Sequence, residues 1–153
     1  MKVCIGGTFN VLHDGHKLLI QRAIEKSGKN GSVFIGISTG ELLKKKDDVK
    51  SFEGRKKTLE KYISKTGHGT KFIIKPIMDK YGPSITGDFD AIVVSPETDK
   101  TAEEINKIRK QKGKKPLEII QIPFVLAEDG IPISSTRIKN NEIDSKGTVI
   151  ERG

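Results

Sequence analysis

A chain of 153 residues is large enough to bury one core, and its hydrophobic content of 34% shows no break that would mark a second domain, so a single domain over residues 1–153 is expected. No long apolar run or leader-like segment occurs, which predicts a cytoplasmic protein that neither spans nor binds a membrane. The lone cysteine, Cys4, excludes an intramolecular disulfide.

In chain order, residues 2–5 predict a short buried strand, and Leu18, Leu19, Ala23 and Ile24 recur at helical spacing until Gly28 supplies a stop. A second strand is expected over Ser32–Ser38, a helix around residues 55–64 and a third strand over residues 70–75. Pro83 and Gly87 mark an irregular crossover before a fourth strand, Ala91–Val94. Thr101 and Glu104 have the spacing of a capping box for a helix with Ala102, Ile105 and Ile108 on one face, closed by Gly113 and Pro116. Residues 117–122 read as a fifth strand, and Ser134 or Ser135 is expected to cap a last short helix. Alternation of this kind predicts an α/β fold: one Rossmann-like, doubly wound domain with a five-stranded parallel sheet.

Between the first strand and first helix lies Gly6-Gly7-Thr8-Phe9-Asn10-Val11-Leu12-His13-Asp14-Gly15-His16. In a parallel sheet this junction sits at the carboxyl edge of the strands, where glycines let the backbone approach an anion and a helix N-terminus offers it free N–H groups. His13 and His16 are three apart, so one helical turn brings both rings to the same side, where imidazole can donate to a developing phosphorane oxygen. The competing readings are a purely structural pair and half a metal site; the latter's other ligands would be His68, far along the chain in a glycine turn, and Cys4, inside a strand, and no zinc set is evident. At the far end Ser134, Ser135 and Thr136 offer hydroxyls that suit terminal phosphates, or a plain serine cap.

The net charge of +8 also suits a nucleic-acid binder. Against that, two tyrosines and no tryptophan leave little for base stacking. The basic residues fall mainly in Lys44-Lys45-Lys46, Arg55-Lys56-Lys57 and residues 107–115, and the last stretch alternates with Glu103, Glu104, Asn106 and Gln111 as a solvated helix face would. Nucleic acid is therefore not expected as a partner, and no feature of the sequence speaks to its oligomeric state.

GGTFNVLHDGH resembles the GTFDxxHxGH signature of the class I nucleotidylyltransferase superfamily, and Ile133-Ser134-Ser135-Thr136-Arg137 resembles its ISSTxxR signature. DAIVVSPET (residues 90–98), AEEINKIRKQKGKKPLEII (residues 102–120) and VLAEDGIPISSTRI (residues 125–138) further resemble archaeal-type phosphopantetheine adenylyltransferases. The resemblance implies transfer of AMP from ATP to 4′-phosphopantetheine, giving dephospho-coenzyme A and pyrophosphate in coenzyme A biosynthesis, with Mg²⁺ arriving on ATP. It implies a nucleotide site of Gly6, Gly7, Thr8, Phe9 and His16 with Ser134, Ser135 and Thr136 on the triphosphate tail. Thr8 would contact the reacting phosphates, and His13 and His16 would stabilise the transition state. A lysine after the second strand would bridge the acceptor and nucleotide phosphates, with Lys44 favoured in register and Lys46 next. A sibling nucleotidylyltransferase, cytidylyl or adenylyl, using another phosphate acceptor is the alternative, and a nonenzymatic binding module is a third reading.

The chain also departs from these patterns. Asn10 stands where the signature has aspartate, and Arg137 directly follows Thr136, whereas the superfamily arginine often falls where Lys139 sits. Ser95-Pro96-Glu97-Thr98 occupies the place of the bacterial acceptor arginines. Asp79, Tyr81 and Gly82 in the crossover either line the acceptor site or pack on the surface.

Overall fold

The computed structural model describes residues 1–44, 49–66, 69–96 and 98–150. Its strands β1 (Lys2–Gly7), β2 (Ser32–Ser38), β3 (Lys71–Ile77), β4 (Ala91–Val94) and β5 (Glu118–Gln121) form one sheet in the order β3-β2-β1-β4-β5, every pairing parallel. Helices α1 (Asp14–Ser27), α2 (Phe52–Thr66), α3 (Asp99–Gln111) and α4 (Ser135–Lys139) complete the α/β fold. The chain winds outward from β1 through β2 to β3, then returns to the opposite side of β1 for β4 and β5. That reversal makes the carboxyl ends of β1 and β4 the switch point of the fold.

The register opens a gap there. β1 pairs with β2 along its whole length, from Lys2 opposite Ser32 to Gly7 opposite Ile37. With β4 it pairs only at Val3 opposite Ala91 and Cys4 opposite Ile92. Beyond residue 4 the two central strands therefore part, leaving room above Gly6 and Gly7.

Side-chain alternation distributes the core over both faces. Val3, Ile5, Val33, Ile35, Ile37 and Val93 pack against Leu19, Ile20 and Ala23 of α1 and Leu59 and Ile63 of α2. Cys4, Ile92 and Val94 face the other way, against Ala102 and Ile105 of α3. Each such aliphatic side chain, once fully buried, contributes about 1.5–3 kcal/mol, which makes these two layers the main support of the sheet.

Several boundaries differ from the sequence reading. β1 runs two residues further, and β3 continues through Pro76, which the sheet tolerates because β3 is an edge strand. The capping box expected of Thr101 and Glu104 does not form. Helix α3 starts earlier, at Asp99, after Thr98, whose hydroxyl pairs with Ser95; Glu104 is instead held by Lys80 and Tyr81. Nor are the basic stretches wholly solvated: Arg55 and Arg109 are 2% and 4% exposed. Arg109 donates to the carbonyls of Ser84 at 2.8 Å, Gly87 at 2.9 Å and Lys115 at 2.9 Å, pinning the crossover under α3. At the last helix, Ser134 is the cap, its Oγ accepting from the Arg137 N–H at 3.2 Å.

Candidate active site

The turn after β1 builds the site from its own backbone. His13 is the N-cap of α1 in an extended conformation, and its Nδ1 accepts from the N–H groups of Gly15 at 3.0 Å and His16 at 3.4 Å. His16 answers with its own Nδ1, which accepts from the His13 N–H at 3.3 Å. This is a capping box made of two imidazoles. With both Nδ1 atoms accepting, each neutral ring carries its proton on Nε2 and is a donor there.

Packing locks the pair. The rings stack with centroids 3.8 Å apart and planes 18° from parallel, and the His16 ring also meets Phe9 at 5.0 Å. Phe9 is only 1% exposed and adopts φ 50, a left-handed conformation uncommon for a bulky residue and held here by burial of its ring. Burial pushes the His13 pKa down from 6.5 to about 4, opposed by the charge of Asp14. His13 is accordingly a neutral donor throughout the physiological range.

Beside this turn opens a cleft of about 430 Å³. Gly6, Gly7, Thr8, Phe9, His13 and His16 line one side, and Ser134, Ser135 and Thr136 line the other, so residues from opposite ends of the chain meet around one space. Asn10 faces away from this role in one respect: its Oδ1 accepts from the Lys50 N–H at 2.8 Å, tying the turn to the approach of α2. The Arg137 guanidinium pairs with Asp129 and with Glu142 at 3.6 Å, and so braces the C-terminal segment. Lys44 ends a 3-10 turn at Gly40–Leu43; its side chain is 77% exposed and lies 4.0 Å from Glu41, at the same edge of the sheet and not among the residues lining the cleft. Lys46, Lys45, His68 and Glu97 lie outside the described residues.

Sequence reasoning missed Arg55. Its guanidinium donates to the carbonyls of Thr8 at 3.0 Å, Ser38 at 2.8 Å and Lys50 at 2.8 Å, joining the turn after β1, the end of β2 and the approach to α2. The signal was its spacing: Arg55, Leu59 and Ile63 recur every four residues on the buried face of α2, although Arg55 opens a basic run. Ser38 and Phe124, which belong to no motif, also line the cleft, as does Thr98 at the end of the DAIVVSPET segment.

A second, mostly apolar cavity of about 170 Å³ lies on the α3 side of the sheet and shares Gly6, Gly7, Ser38 and Thr98 with the cleft. Cys4, Phe34, Ile92, Ala102 and Ile105 form its floor, and Lys80 and Tyr81 stand at its edge. Burial raises the Cys4 thiol to about 12, so it acts as an apolar lining group. Among the described residues, no three His, Cys, Asp or Glu side chains are grouped to hold a metal ion. No helix among them is long and apolar enough to cross a membrane.

The cytidylyltransferase-like family matches residues 4–141. A phosphopantetheine adenylyltransferase of Methanosarcina mazei is 51% identical over 147 residues, 95% of each chain. Another, of Archaeoglobus fulgidus, is 40% identical over 151 residues, 98% of this chain and 100% of the relative. Among solved structures, a protein from Archaeoglobus fulgidus superposes with a TM-score of 0.70 at 34% identity, covering 80% of this chain and 89% of that one. Likeness of this degree, running almost from end to end, shows that the chain belongs to the cytidylyltransferase-like family, among the archaeal phosphopantetheine adenylyltransferases.

Proposed function

We infer that this chain, as one nucleotidylyltransferase domain over residues 1–153, transfers the adenylyl group of ATP to 4′-phosphopantetheine, forming dephospho-coenzyme A and pyrophosphate in coenzyme A biosynthesis. The observation that carries this reading is the meeting of two unlike cavities at Gly6 and Gly7. The more polar one, with its imidazoles and hydroxyls, suits nucleotide phosphates. The apolar one suits the arm of an acceptor whose phosphate must arrive beside them.

The acceptor phosphate is already an anion, so the reaction needs alignment and relief of charge repulsion more than activation. Its oxygen attacks the α-phosphorus of ATP in line, the bond to the β-phosphate oxygen breaks, and pyrophosphate leaves. In this mechanism the Nε2–H groups of His13 and His16 donate to the oxygens that gain charge in the transition state. Thr8 contacts the reacting phosphates, and Ser134, Ser135 and Thr136 hold the departing tail. A lysine of the run, Lys44 in the favoured register or Lys46, lies between the acceptor and nucleotide phosphates.

Magnesium is proposed to enter with ATP, where it offsets the charge of the leaving pyrophosphate; a cleft lined by hydroxyls and imidazoles fits an ion carried on phosphate oxygens and water. Substrates of this kind place the enzyme in the cytoplasm, and a buried, unpaired Cys4 is compatible with a reducing compartment.

The test is pyrophosphate release by purified protein given ATP, magnesium and a panel of acceptors. Turnover with phosphopantetheine supports the reading. Turnover only with nicotinamide mononucleotide, flavin mononucleotide or glycerol phosphate overturns it in favour of a sibling transferase.

A further inference from the structure

At the edge of the apolar cavity stands a charged cluster that adenylyl transfer itself does not use. One carboxylate oxygen of Glu104, on α3, accepts from the Tyr81 hydroxyl at 2.8 Å and from the Lys80 ammonium at 2.9 Å. The same ammonium lies 5.2 Å from the centre of the Tyr81 ring. Lys80 and Tyr81 line the cavity from the crossover, while Thr101, Ala102 and Ile105 line it from α3. Glu104 therefore joins the two walls.

The crossover backbone does not depend on this contact. Asp79 Oδ1 accepts from the N–H groups of Tyr81 at 2.9 Å and Gly82 at 2.8 Å, and Arg109 holds the carbonyls of Ser84 and Gly87 beneath. What Glu104 adds is the placement of two side chains. The Lys80 and Glu104 side chains are 54% and 45% exposed, a setting in which an ion pair adds little to stability. Its importance lies in what stands at the cavity mouth: a neutralised ammonium and a phenol turned to a fixed position.

We propose that Glu104 sets acceptor selectivity: by neutralising Lys80 and holding Tyr81 across the mouth of the apolar cavity, it favours a long uncharged, amide-bearing arm over an arm that ends in a carboxylate. This rests on the reading that the acceptor arm of phosphopantetheine occupies the cavity. A carboxylate carried into an apolar space must lose water, and among the described residues that line the cavity the one cation, Lys80, is already paired. Glu104 is a positioning residue, acting through Lys80 and Tyr81.

The experiment compares wild type, Glu104→Gln and Tyr81→Phe, with phosphopantetheine as acceptor and phosphopantothenate, whose shorter arm ends in a carboxylate, as rival acceptor or competing inhibitor. Glu104→Gln is expected to raise the KM for phosphopantetheine about threefold to tenfold, leave the KM for ATP within about twofold, and shift preference toward phosphopantothenate by about fivefold, the equivalent of one exposed charge pair. Tyr81→Phe is expected to raise the same KM without shifting the charge preference.

An independent readout uses the two tyrosines of this tryptophan-free chain. In a Tyr62→Phe background, which removes a hydroxyl that accepts from the Gln21 amide at 3.2 Å, Tyr81 is the sole tyrosine and its fluorescence is expected to change on saturation with phosphopantetheine. Equal changes in both KM values, no change in either, or silent Tyr81 emission in an enzyme that turns over phosphopantetheine would overturn the selectivity role alone. A wild type that ignores phosphopantetheine would instead overturn the functional reading together with this one.

Discussion

Gly15 leaves open the space that the His13 ring occupies. A Cβ on Gly15 would lie 2.8 Å from Cε1 and 3.0 Å from Nδ1 of that ring, closer than side chains approach one another. The glycine between the histidines is thus the condition for His13 to cap α1. In Gly15→Ala the ring must swing out and lose both cap bonds, with an expected cost of about 1–2 kcal/mol in stability and a fall in turnover of about tenfold or more. Thermal melting together with steady-state turnover checks this; a variant unchanged in both would refute the coupling of glycine, cap and catalysis.

The two histidines can be separated by what replaces them. His16→Ala is expected to lower turnover about tenfold to a thousandfold with milder loss of ATP binding, the scale for removing one donor to transition-state charge. His13→Asn keeps an oxygen able to cap α1 but removes the Nε2–H, so stability should stay near wild type while turnover falls; His13→Ala should lose both. Were His13→Asn fully active, His13 would have only a structural role.

Stability should depend on pH through His13. Its folded pKa lies near 4, below the 6.5 of the unfolded chain, so the unfolded state binds the proton first as pH falls. The contribution is complete above 6.5 and is lost between 6.5 and about 4, with an upper bound of about 3–4 kcal/mol. Denaturant midpoints should fall more steeply over this window for wild type than for His13→Asn. Parallel curves for the two proteins would contradict the assignment.

Arg55 should matter more than its place in a basic run suggests. In Arg55→Met the carbonyls of Thr8, Ser38 and Lys50 lose a shared donor, and the expected loss is about 3 kcal/mol. Arg55→Lys should recover only part of it, because an ammonium cannot span the same oxygens as a planar guanidinium. Turnover should fall in step with the displacement of Thr8. Chemical unfolding gives the stability, and equal values for wild type and Arg55→Lys would show that charge alone suffices.

The lysine run yields a sharper contrast. If one lysine bridges the acceptor and nucleotide phosphates, one of Lys44→Ala, Lys45→Ala and Lys46→Ala should be severely slowed with a raised KM for phosphopantetheine, Lys44 being favoured and Lys45 the internal control. Three mild, similar, salt-sensitive defects would mean that the run supplies only a diffuse positive field.

Elements whose signals are local were legible in advance. The apolar runs of β2 and β4 stand between turn residues and match their expected bounds, and Gly28 ends α1 as read. The start of α3 was not legible, because a capping box competes with other partners and Glu104 found stronger ones in Lys80 and Tyr81. Arg55 and Arg109 were hidden by their lysine neighbours, although both fall in phase with the buried residues of their helices. A long side chain can bury its stem while its donors reach backbone carbonyls, and composition does not reveal which arginine does so.

The sequence by itself determined the histidine turn, since two imidazoles spaced three apart, with a glycine between them, depend only on bonds within one helical turn. Tertiary structure decided what surrounds that turn. The parting of β1 from β4, the arrival of Ser134, Ser135 and Thr136 across the cleft, and the apolar cavity beneath Tyr81 all require strands and loops distant in sequence to settle against one another. Such contacts form when two buried faces pack together, and the pattern along one segment specifies which face it hides without specifying what will cover it.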